Sequence, residues 1–67
     1  MINYEKWSSL IIIFDHYMKI FKEVTDELRQ PNLTITERTE KITIKQNCSR
    51  LLNNINEEIV KMENEVL

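Results

Sequence analysis

From Trp7 onward, apolar side chains recur in steps of three and four: Trp7, Leu10, Ile11, Phe14, Tyr17, Met18, Phe21, Val24 and Leu28. That period is the turn of an α-helix, and no glycine or proline interrupts it, so the spacing predicts a helix over about residues 4–30. Written as heptads, Trp7, Phe14, Phe21 and Leu28 take the first position (a), and Leu10, Tyr17 and Val24 the fourth (d), which together form the seam of a coiled coil. Ser8, Ser9, Asp15, His16, Lys19, Lys22, Glu23 and Asp26 make the outer, polar face, with Ile12 the one apolar residue among them.

Pro31 has no backbone N–H and biases Gln30 away from the helical region, so the first helix is expected to stop at Arg29 or Gln30 and a turn to fill about 31–34. Thr34-Ile35-Thr36-Glu37 then fits a capping box, in which the threonine hydroxyl accepts a backbone N–H and the glutamate reaches back. Beyond it, Cys48, Leu52, Ile55, Ile59, Met62 and Val66 repeat in steps of four and three, with Leu51 beside them, predicting a second helix over about 35–66. Its first half is less regular. Ile35 and Ile42 lie more than a quarter turn off that stripe while Ile44 joins it, as a phase change, a bend or a late helix start would each produce. Residues 33–45 also admit a small β-hairpin, because LTIT and KITIK alternate apolar residues with threonine around ERTE. The absence of an Asn-Gly or Asp-Gly turn favours the helix.

The fold expected is therefore all-α: one domain, an antiparallel two-helix hairpin completed by oligomerisation into a helical bundle. The need for completion comes from the first helix. Besides a and d, it is apolar at e (Ile11, Met18) and at g (Ile13, Ile20), whereas a two-helix seam uses only about two residues in seven. One facing helix cannot cover both flanks, and an apolar side chain left in water forgoes about 1.5–3 kcal/mol. At 67 residues the chain is also short enough that a staple or a partner often completes the core. A single cysteine, Cys48, makes no internal disulfide, and with a single histidine, His16, no Cys/His set is spaced for structural zinc. Association is the staple that remains.

Charge narrows the partner. Eleven acidic against nine basic residues give a formal charge of −2, not the field of a nucleic-acid binder. The charges are unevenly placed, basic through Arg38, Lys41, Lys45 and Arg50, acidic through Glu57, Glu58, Glu63 and Glu65. Arg38, Lys41 and Lys45 line one side of the second helix as a possible phosphate-contacting strip, but Glu37 and Glu40 interrupt it and no aromatic residue nearby can stack on a base. The first helix could be considered for a membrane surface, yet its polar face mixes Asp and Glu with Lys instead of being cationic. The continuous apolar run Leu10–Phe14 is far below the ~20 residues of a membrane span, and the first residues lack the pattern of a secretory leader, so a cytoplasmic location is expected. Two Asn-x-Ser/Thr triplets, at Asn32 and Asn47, are then chance matches.

Catalytic chemistry finds no foothold. Asp15 and His16 are sequence neighbours on a polar helical face and point in different directions. Cys48 sits on an apolar stripe, where a thiol behaves as a small hydrophobe. The glutamates of the second helix lack a cleft, and without glycine there is no phosphate loop or nucleophile elbow. No enzyme, cofactor or metal is expected.

Two helices joined near the middle, an exposed apolar face and a length of 67 residues resemble the small helical-hairpin co-chaperones of bacterial type III secretion needle proteins. The likeness is one of architecture, over Tyr4 to Val66. It implies apolar faces that hold a second chaperone subunit and help keep an aggregation-prone needle protein monomeric. The needle proteins themselves resemble this chain in an early tryptophan and a Pro-Asn turn, here Trp7 and Pro31-Asn32, although their acidic, proline-rich turn is missing. The sequence thus points to a non-enzymatic interaction protein, a chaperone-like adaptor or a subunit of a helical assembly. Its expected contact residues are Trp7, Leu10, Ile11, Ile13, Phe14, Met18, Ile20, Phe21, Leu52, Ile55 and Ile59, meeting a partner helix or a second copy. The competing reading is a self-associating dimeric bundle that binds nucleic acid weakly through its basic strip.

Overall fold

Asn3 and Thr34 start the two helices in the same way. In the computed structural model, which describes residues 3–65, each has extended backbone geometry, and its side-chain oxygen accepts the N–H three residues on, from Lys6 and Glu37, both at 3.1 Å. Helix α1 spans Tyr4–Glu27 and α2 spans Ile35–Asn64. They pack antiparallel as a hairpin 51 Å long and 14 Å across, with no strand among the described residues. Val66, the last member of the second apolar stripe, lies outside the described residues.

α1 ends earlier than the position of Pro31 suggested. Proline offers no N–H to the Glu27 carbonyl, and the Gln30 N–H takes it instead at 3.1 Å, while the Arg29 N–H bonds to Asp26 at 3.1 Å. These shorter i to i−3 bonds tighten residues 28–30 into a turn, so the connection runs over 28–34 and not 31–34.

The alternating segment 33–45 is helical from Ile35 onward, which settles the choice against a β-hairpin. Its threonines explain how. The Thr39 hydroxyl donates to the Ile35 carbonyl at 2.8 Å and the Thr43 hydroxyl to Thr39 at 3.0 Å, so side chains that favour strands are satisfied inside the helix. There is no phase change in α2. Its seam continues in the same three-four rhythm upstream of Cys48, through Lys45, Lys41 and Arg38, all partly buried, while Ile44 stands off it, exposed.

The core is thin and belongs mostly to α2. Val24 of α1 is buried with Cys48, Leu52, Ile59 and Met62, and among the described residues no side chain is sealed completely. The other seam residues of α1, from Trp7 through Phe21, are only half-buried. A helix with four apolar columns has been laid on one with two, and its surplus stays at the surface.

Candidate interaction surface

Four cross-hairpin pairs set the height of every residue. Near the turn, Lys41 forms an ion pair with Glu27, and the Lys45 ammonium sits 5.5 Å from the centre of the Phe21 ring. Lower down, Phe14 and Leu52 border the same groove, and at the open end the Trp7 indole N–H donates to the Glu63 carboxylate at 3.3 Å. Residues at matching heights therefore run in opposite directions along the two helices, as in an antiparallel coiled coil.

The three cations read as a phosphate-contacting strip are turned onto α1. Arg38 forks, one guanidinium nitrogen donating to the Leu28 carbonyl at 3.1 Å and the other to Gln30 at 3.2 Å. Those are carbonyls the end of α1 leaves without intrahelical partners, where positive charge also meets the negative end of the helix dipole. Lys41 and Lys45 hold Glu27 and the face of Phe21. A phosphate would have to compete with all three contacts.

The two flanks of the seam differ. On one, Met18 of α1 borders a groove of about 340 Å³ with Phe14 and Phe21, facing Ser49, Asn53 and Asn56 of α2. Here apolar α1 meets a mostly polar α2, with Ile42, 41% exposed, the apolar exception near the turn. On the opposite flank lie the g positions of α1, Ile13 and Ile20, and there the equivalent positions of α2 are Ile44 and Leu51. Ile13, Ile44 and Leu51 are 41%, 44% and 40% exposed and Ile20 is half-buried. By the heights of the cross-hairpin pairs, the order along this flank is Ile44, Ile20, Leu51, Ile13, a continuous strip about 17 Å long at the helical rise.

Comparison with protein-family models, curated proteins and solved structures finds no match.

Of the expected contact residues, Leu52 and Ile59 lie in the buried core of the single hairpin, and Ile55 is half-buried beside them. Trp7, Leu10, Ile11, Phe14, Met18, Ile20 and Phe21 are half-buried along α1, and Ile13 is exposed. Ile44 and Leu51 were missing from that set. Their signal was present, a seven-residue spacing matching that of Ile13 and Ile20, but it acquires meaning only once the two helices are paired. Asp15 and His16 border a shallow crevice on α1 alone, with the His16 ring edge-on to Tyr17 at 5.5 Å, and no second element encloses a substrate there. Among the described residues no three His, Cys, Asp or Glu side chains gather as metal ligands, and no helix is long and apolar enough to cross a membrane.

Proposed function

We propose that this hairpin is a non-enzymatic protein–protein interaction module, a chaperone-like adaptor or a subunit of a helical assembly. The observation that carries the reading is the strip of Ile13, Ile20, Ile44 and Leu51, to which both helices contribute and which the hairpin's own packing covers only in part. A helix laid along it would gain burial on four branched side chains at once, and the thin core gives the hairpin a reason to need that contact. A role like that of needle-protein co-chaperones, in the cytoplasm, is the finer form of this proposal. It rests on the helical-hairpin architecture and the partly covered apolar flank.

The test is the native size of the chain in gentle extracts of cells producing it at low level. The expected result is a species well above the 8.1 kDa of the single chain, reduced to it by Ile13→Asp combined with Leu51→Asp. A wild-type chain that runs as a free 8.1 kDa species in such extracts rules the reading out.

A further inference from the structure

The apolar strip is placed where a two-fold axis would need it. Ile44, Ile20, Leu51 and Ile13 fall at heights equivalent to residues 24, 20, 17 and 13 of α1, so the strip is centred near residue 18. That is also the middle of the described part of the hairpin, which runs from Asn3 to the turn at 28–34. A strip off centre would pair with itself about a dyad only by leaving one end of each hairpin overhanging. A centred one lets the two hairpins pair over their whole described length.

Resting on the reading above, we infer that the occupant of this flank is a second copy of the chain, packed face to face and antiparallel as a four-helix bundle. The dyad then builds three apolar layers. Ile20 and Leu51 of both copies fill the middle one, and in each outer layer Ile13 of one copy is level with Ile44 of the other. At both ends Lys6 of one copy comes to the height of Glu37 of the other, and Glu58 to the height of a Glu27 that is already paired with Lys41 of its own chain, because all four lie on the same flank one heptad beyond the strip residues.

Charge selects this direction over the parallel one. The turn half, residues 19–49, carries six cations and five anions, a net +1, whereas the open half, residues 3–18 and 50–65, carries three cations and six anions, a net −3. Antiparallel packing sets each negative half against a positive one, and parallel packing stacks the two negative halves together. Area is sufficient as well. A standard interface takes about 800 Å² from each partner, roughly a seventh of the 5405 Å² surface, and one long side of a rod-shaped hairpin offers more than that.

Sedimentation equilibrium of the purified chain over a wide concentration range tests the inference. The expected mass is twice 8.1 kDa, and Ile44→Asn or Leu51→Asn, at positions 44% and 40% exposed in the single hairpin, weakens the dimer by roughly tenfold or more with the helical circular dichroism retained. Lys6→Glu and Glu37→Lys each weaken it a few-fold at low salt, and the two together restore it. Direction is read by mixing Lys6→Cys chains with Glu37→Cys chains and adding a short bismaleimide. In the antiparallel dimer like sites lie ~37 Å apart, so the mixture becomes linked and neither variant does alone, whereas a parallel dimer links each variant to itself. The unsubstituted chain, whose Cys48 is buried, is the control. A folded monomer at every concentration overturns the second-copy inference while leaving the partner reading to the test in extracts. A dimer linked instead between two Asn32→Cys turns overturns the antiparallel arrangement.

Discussion

Arg38 joins the two helices at the turn by two hydrogen bonds from one side chain. One guanidinium holds two carbonyls beyond the end of α1, Leu28 and Gln30, and so ties the turn to α2 without a glycine or a second proline. Only arginine has a planar fork that can reach two acceptors two residues apart, and lysine brings the charge without the geometry. Arg38→Ala is expected to destabilise the chain by about 1–2 kcal/mol, the upper part of the range for charged hydrogen bonds being reduced by partial exposure. Arg38→Lys should recover less than half of the loss. Urea denaturation checks both, and equal stability of Arg38→Lys and wild type would assign the effect to charge alone.

At the scale of the elements, the two helices are unequal. α2 presents an apolar seam only from Cys48 downward, and above it Lys45, Lys41 and Arg38 occupy the same column. Their ammonium and guanidinium heads find partners on α1 while their methylene stems cover its seam. The Glu27–Lys41 pair is part-exposed, so its attraction is screened and its net value small. Replacing both by leucine extends the apolar seam into the turn half. The double substitution is expected to be neutral or to stabilise by ~1 kcal/mol, whereas Lys41→Ala alone costs ~0.5–1 kcal/mol. Thermal melting of the three chains decides this, and a strongly destabilised double variant would mean that the pair itself fixes the register of the hairpin.

For the whole molecule, the feature that matters is how little is sealed. Val24, Cys48, Leu52, Ile59 and Met62 are the buried apolar side chains of the described residues, and the aromatic side chains Trp7, Phe14, Tyr17 and Phe21 all keep one side open. A core of that size supplies only a few kcal/mol against the conformational entropy of the chain. Stability should therefore depend on association, and Tm is expected to rise with chain concentration. A Tm constant over that range would mean that the single hairpin is self-sufficient.

The pattern of apolar and polar residues was enough for two antiparallel helices, the capping threonine at Thr34 and a surplus of apolar surface on α1, because each is a local matter of period and capping chemistry. Local information was ambiguous at residues 33–45, where β-branched side chains compete with the helical period until the threonine hydroxyls bond back to their own turn. It was silent on the cations of α2, since a charged residue on a helix reads as solvated until a neighbour's free carbonyls are brought to it. The interaction surface shows the same division. Ile13 and Ile20 stand out in the sequence as flanking residues, but Ile44 and Leu51 join them only when the height and facing of α2 are fixed, and those are properties of the pair of helices, which neither one encodes alone.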